Sequence, residues 1–478
     1  MWASTRTRRL WKARQASPSA DGSTRSKSFS PNRNRGSRSF AWPGVDAPGG
    51  HHAGDSRQMD RGSDRRARIM REAATHFLQD GFERTSMDRI AASAKVSKQA
   101  IYEHFDDKED LFDRVVRAGL SPGDDGTIID SDDLRATLAS YAESLFNAFV
   151  KPRNYGLFRA NIVATRKFPQ LAADLHDYRR SQSHKLAAYL ERQVDEGRIS
   201  PFEGDSVDLA TRLGAMGVEG TRYFLGYPLP RKAPRTAQAW LAAKVFADGV
   251  GTEGISGAGG TDGCDPQPPF VAALSGPPGK AQMRLPPERF AALCDAAIDE
   301  FLAHGFEGAS LEPITTAAGI GRATIYRQFG GKAGLFAYVV AREIAAQWRD
   351  IAIPDGETPF ERMEALCRQV LDLHLMPRSL SMHYLLVQES DLFPELARTF
   401  YDMQVDRAGR PFAGILREAG MPTPGPALLR IFFTLASYGV RYVVSLRPVT
   451  TAEREMVSRQ AASIILRGMA CETLHETE

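Results

Sequence analysis

This chain of 478 residues repeats itself, and the repetition constrains its fold more than any other feature. "KQAIYEHFDDK", Lys98 to Lys108, returns as "RATIYRQFGGK", Arg322 to Lys332, with one Ile-Tyr-x-x-Phe-x-x-Lys skeleton at a fixed offset of 224. Aligned without a gap, 77–112 and 301–336 share 14 of 36 residues. Further on, "FPQLAADLHDY" from Phe168 and "KPR" from Lys151 meet "FPELARTFYDM" from Phe393 and "MPR" from Met376, both at an offset of 225. One inserted residue separates the two aligned blocks, so a whole unit is duplicated rather than a motif. The length exceeds one ordinary core, so at least two domains are expected.

Within each unit the apolar spacing is helical. Ile69, Ala73, Phe77 and Ala74, Leu78 follow Ser63, a candidate N-cap, and Gly81 ends that helix. Ser86 opens a short second helix, Ser97 a third with Ile101, Tyr102 and Phe105, and Asp107 a fourth with Leu111, Phe112, Val115 and Val116. Copy two repeats the order through Phe301, Gly305, Ser310, Ile325, Tyr326, Phe329, Leu335 and Phe336. Strand signals are almost absent, so the expected fold class is all-α. The expected organisation is a disordered basic tail at 1–60, a helical head at 61–118, a helical body at 119–248, a linker at 249–283, a second head at 284–342 and a second body at 343–474. The linker is dense in Gly and Pro, and its length of about 35 residues gives a span of roughly 30–35 Å.

Residues 1–58 hold 11 Lys/Arg against 3 Asp, so the remainder of a chain of net charge +3 is acidic. Nucleic-acid binding by the folded part must therefore come from locally placed groups. For the tail, three readings stay open: a sequence-independent attraction to phosphates, a transit peptide, or translation that starts at Met59. An inert tail or the later start is expected first. Cys264, Cys294, Cys367 and Cys471 stand singly, which fits reduced thiols better than disulfides or zinc. No apolar run reaches the roughly 18 residues of a membrane-spanning helix, and a cytoplasmic protein without a membrane partner is expected. With no phosphate loop, paired metal-ligand motif or G-x-S-x-G elbow, neither an enzyme nor a cofactor is expected.

Helices two and three of each head, joined by "SAKV" or "AAGI", form a helix-turn-helix. The major groove admits one helix, so the residues early in helix three face base edges. These are Lys98, Gln99 and Glu103 in copy one and Arg322, Thr324 and Arg327 in copy two, while Ile101, Phe105, Ile325 and Phe329 face the core. Tyr102 and Tyr326 are either core aromatics or phosphate donors, and their basic neighbours favour the second role. Lys108 and Lys332 open helix four, where free N–H groups already favour an anion.

The frames "IYEHFDDKEDLF" and "IYRQFGGKAGLF" after a capped helix pair resemble those of the TetR/AcrR transcriptional regulators, and "ESDLFPELARTFYDM" resembles the AefR-like branch. The resemblance runs from Arg61 to about Thr473. It implies a regulator, more often a repressor, that binds an operator in double-stranded DNA as a dimer and holds a small-molecule inducer in its helical bodies. By position it puts Ser86, Lys98, Gln99, Tyr102, His104 and Lys108 of copy one on DNA, and Ser310, Arg322, Thr324, Tyr326, Gln328 and Lys332 of copy two. Two positions depart between the copies: Lys95 stands where copy two has the turn glycine Gly319, and Gly330-Gly331 replace Asp106-Asp107 before helix four.

A chain with two units could supply both heads itself, as an intramolecular pseudo-dimer, or whole chains could form a homodimer. Because the reading helices differ, the pseudo-dimer predicts an asymmetric operator. Candidate pocket residues are Phe158, Arg159, His176 and Tyr178 in body one and His374, His383, Tyr384, Gln388 and Tyr401 in body two, although aromatics at helical spacing serve a core equally well. The competing class is a ligand-sensing or partner-binding scaffold with degenerate heads, since the head at 61–112 balances 10 Lys/Arg with 10 Asp/Glu.

Overall fold

A computed structural model of the chain describes residues 56–119, 131, 133–165, 167–249, 285–347, 351–438 and 448–468. The tail up to 55 and the linker from 250 lie outside them. Among the described residues the fold is all-α, with no strand. Copy one runs α1 (Ser56–Asp80), α2 (Met87–Ala94), α3 (Lys98–Tyr102), α4 (Lys108–Ala118), α5 (Leu134–Phe149), α6 (Pro152–Ala164), α7 (Pro169–Ser181), α8 (His184–Asp195), α9 (Ser206–Gly217) and α10 (Lys232–Asp248). Copy two runs α11 (Pro287–Gly308), α12 (Leu311–Ala317), α13 (Arg322–Phe329), α14 (Lys332–Gln347), α15 (Pro359–Leu375), α16 (Pro377–Glu389), α17 (Pro394–Glu418), α18 (Pro426–Ala436) and α19 (Thr451–Arg467).

Helices begin where a side-chain oxygen can accept from free N–H groups. Ser86 accepts from the Arg89 N–H at 3.2 Å, Ser97 from Ala100 at 3.1 Å and Asp107 from Asp110 at 2.7 Å. Each such cap contributes about 1 kcal/mol. Thr358 and Glu361 form a reciprocal capping box at the start of α15. Ser63 is not a cap. It lies inside α1, which begins at Ser56 within the segment read as tail, because Arg, Gln and Met there are good helix formers and nothing stops the helix.

Head joins body through four aromatic rings in each copy. Phe82 and Phe112 of head one both lie 5.2 Å from Phe168, which precedes α7, and Phe77 packs on those two rings. Phe306 and Phe336 meet Phe393 in the same way, at 4.9 Å and 4.4 Å, with Phe301 packed on them. The repeated Phe-Pro pair therefore has a packing cause: its ring plugs the head, and its proline starts the next helix.

The copies share one contiguous apolar cluster that extends from Leu134 to Ile465. α10 packs on α19, α9 on α18 and α6 on α16. The ends of α10 and α19 approach so closely that a Cβ on Gly468 would lie 2.1 Å from the Ala247 carbonyl oxygen, and one on Gly249 2.7 Å from the Arg467 nitrogen. Both glycines have φ near +70°, at 70° and 68°. Charged contacts cross the same seam. Asp391 of copy two accepts from Arg84 at 2.7 Å and pairs with Arg159 of copy one at 2.9 Å, and Glu219 pairs with Arg430.

One body helix is continuous in copy two and broken in copy one. α17 continues through Pro411, whereas its counterpart breaks into α7 and α8 around Gln182 and Ser183.

Candidate nucleic-acid interface

In both heads the short helix three lies across helix two with its apolar side down. Ile101, Phe105, Ile325 and Phe329 are buried, which leaves Lys98, Gln99, Tyr102 and Glu103, and Arg322, Ala323, Tyr326 and Arg327, exposed. Tyr102 and Tyr326 are 46% and 60% exposed, so the core-aromatic alternative is excluded. Thr324 departs from expectation: it is half-buried at the register of Ala100, and the exposed counterpart of Gln99 is Ala323.

The turn before helix three needs a left-handed residue in both copies. Lys95 has φ 52° and Gly319 φ 60°, so Lys95 bears a strain of about 1–2 kcal/mol that glycine does not. The Gly330-Gly331 pair ends α13 differently from α3. Gly330 is a left-handed C-cap, Gly331 has φ 121°, and α13 extends to Phe329 while α3 stops at Tyr102. The glycines thus give copy two a longer exposed helix in exchange for the Asp107 cap.

Several side chains carry the same contact in both heads. Lys98 pairs with Asp88 at 3.1 Å and Arg322 with Glu312 at 3.4 Å. These exposed pairs are worth at most about 1 kcal/mol, so a phosphate can displace the acid. Arg327 has no ion pair among the described residues. Ser86 and Ser310 cap α2 and α12.

Two pairs turn inward. Lys108 Nζ donates to the Glu83 carbonyl at 3.3 Å and sits over the Phe82 ring at 4.3 Å. Lys332 Nζ donates to the Glu307 carbonyl at 3.0 Å, over Phe306 at 5.1 Å. Burial lowers the Lys108 pKa. His104 Nε2 and both amide atoms of Gln328 are buried without a hydrogen-bond partner, which is not the orientation a base or phosphate contact requires. The rings that receive the lysines lie at the far end of the first helix, Phe82 just past α1 and Phe306 beyond the Gly305 kink in α11, so helix-four spacing alone gives no sign of them.

The pocket residues suggested by spacing separate in the fold. Phe158 and Tyr178 line a cavity in body one. Arg159, Tyr384 and Gln388 line a cleft of about 550 Å³ between head one and copy two. His374, His383 and Tyr401 are core residues, with His374 5.6 Å from His383 between ring centroids.

The model for bacterial regulatory proteins of the tetR family matches residues 69–115 and 293–339, one stretch in each head. A DNA-binding transcriptional repressor named TetR from Mycobacteroides abscessus is 27% identical over 173 residues, 34% of this chain and 77% of its own. A transcriptional activator, FasR from Mycolicibacterium smegmatis, is 27% identical over 188 residues, 38% of this chain and 80% of its own. Among solved structures, a TetR-family regulator from Mesorhizobium loti is 25% identical and aligns with a TM-score of 0.34 over 39% of this chain and 96% of its own.

Proposed function

The chain belongs to the tetR family of bacterial regulatory proteins, carries that family's DNA-binding unit twice and is not an enzyme, and from this premise we propose a ligand-responsive repressor whose two copies form one intramolecular pseudo-dimer on an asymmetric operator. The observation that carries the reading is the packing of α9 and α10 on α18 and α19, which puts the last helices of the two copies in one interface. Single-copy relatives need two chains to present two reading helices about 34 Å apart. Here one chain has both.

In this reading Lys98, Gln99 and Tyr102 of α3 and Arg322, Tyr326 and Arg327 of α13 meet DNA. Ser86, Ser310, Lys108 and Lys332 stand at helix starts that favour phosphate. Arg suits guanine and Gln adenine, so unlike helices read unlike half-sites. The sign of regulation rests on the relatives, one of which is a repressor and another an activator. Repression fits a head that occupies DNA until a ligand releases it.

The test is selection of genomic DNA fragments by the purified protein, followed by sequencing of what binds. The expected product is a two-part site with unlike halves about one helical turn apart. A perfect palindrome would point to dimers of whole chains. A folded protein that enriches nothing, with no ligand added, would leave the scaffold reading.

A further inference from the structure

Body one holds a cavity of about 140 Å³, walled by α5, α6, α7 and α9 and bounded on one side by Thr434, Leu435 and Tyr438 of copy two. The wall is mostly apolar, contains two guanidiniums, Arg179 and Arg212, and includes no Asp or Glu. Arg212 is held against the Val457 carbonyl and beneath the Tyr438 ring. Arg179 lies over the Phe158 ring at 5.0 Å, and its Nη1 is buried without a hydrogen-bond partner. Burial lowers its pKa to about 10, so it keeps its charge at neutral pH.

No acid pairs with Arg179 among the described residues, and the acids of the adjoining elements bind other arginines. Asp205 and Asp208 bind Arg180, and Glu219 binds Arg222 and Arg430. Arg179 itself is half-buried. An anion entering the cavity would supply the ion pair that it lacks among the described residues. In the register of the repeat, Arg179 corresponds to Gln404, a neutral and fully buried residue in the unbroken α17. The break after α7 puts Gln182 and Ser183 in the cavity wall instead.

We propose that this cavity binds one compact organic carboxylate per chain, with the anion on Arg179 and the apolar body against Phe158, Leu175 and Phe224. A cavity of about 140 Å³ accommodates a benzene ring, so a ligand body of about six to eight carbons fits it. Thr434 and Tyr438 make copy two part of the site, so occupancy bears on the seam between the copies. The proposal rests on the ligand-responsive reading above and names its ligand class.

The test is titration calorimetry of the full chain with benzoate and with benzamide, its neutral counterpart of the same shape. Benzoate is expected to bind at one site per chain and at least about tenfold tighter than benzamide, by loss of a charge-assisted contact. Arg179→Gln should erase that preference, and Arg179→Lys should restore part of it. Equal affinities, no saturable benzoate binding, or an undiminished preference in Arg179→Gln would overturn the assignment. Should Arg179→Gln fail to fold, the benzoate and benzamide comparison on the unaltered chain still decides. Fragment selection with the same preparation separates the two readings. DNA binding without benzoate binding sinks the ligand class alone, whereas benzoate binding without DNA binding sinks the regulator and leaves the cavity assigned.

Discussion

Tyr102 and Tyr326 face solvent, so removing either hydroxyl should leave folding untouched. Tyr326→Phe is expected to keep the unfolding midpoint within about 0.5 kcal/mol of the parent and to weaken binding to every DNA sequence, by a contact to a charged group worth about 1.5 kcal/mol or more. Arg327→Ala should act differently, relaxing preference at one base position at a cost of about 1–3 kcal/mol. Binding titrations on specific and random duplexes separate the two, and equal losses from Arg327→Ala would remove it as a base reader. His374 and His383 make a prediction about pH. Burial lowers His374 to about 4, and burial with the His374 neighbour lowers His383 further below its ordinary value. Below about 6.5 the unfolded chain takes up protons that the folded chain refuses. Stability is thus fully present above that pH and falls toward pH 4, by up to about 1.4 kcal/mol per unit for each histidine. Thermal unfolding at pH 7 and pH 5 reads the slope, and His374→Phe should flatten part of it. A midpoint unchanged across that range would contradict the burial of both rings.

Helix α6 connects head one to its body through a missing side chain. A Cβ on Gly156 would lie 2.8 Å from Leu78 Cβ and 3.2 Å from its carbonyl oxygen. In an exposed helix interior Gly→Ala gains up to about 1 kcal/mol. Here Gly156→Ala is expected to lose about 1–3 kcal/mol by overpacking, measurable by urea unfolding, and a gain would show that α1 does not seat on α6. Much of each head was legible from the sequence: Ser86, Ser97 and Asp107 are local caps, and the buried face of helix three follows from spacing alone. Lys108 and Lys332 were less so, because their orientation depends on Phe82 and Phe306, 26 positions earlier in each copy. The cavity was hidden for a similar reason. It arises where one helix breaks and its repeat does not, and Arg179 looks like any helix-surface arginine until its neighbours are known.

Across the whole chain the two copies behave as one packed body, and their seam can be probed by a matched pair of glycines. Gly468 and Gly420 share a positive φ, 68° and 71°, but only Gly468 sits against backbone, since an added Cβ on Gly420 meets nothing within 4 Å. Gly420→Ala should incur only the left-handed penalty of about 1–2 kcal/mol. Gly468→Ala should lose more than that and loosen α19 from α10, and identical unfolding midpoints for the two variants would mean that the seam is open in solution. The seam's charges also choose between pairings. Asp391 corresponds by register to Arg166 in copy one, while Arg84 and Arg159 correspond to Gly308 and Tyr384 in copy two. Copy one paired with itself would set cations against cations, and copy two paired with itself would leave Asp391 without a cation. The unlike pairing alone satisfies the carboxylate. Made as two separate polypeptides, the halves would therefore sort themselves into mixed pairs, and a cell holding related single-copy proteins would have little chance of drawing either half into the wrong partnership.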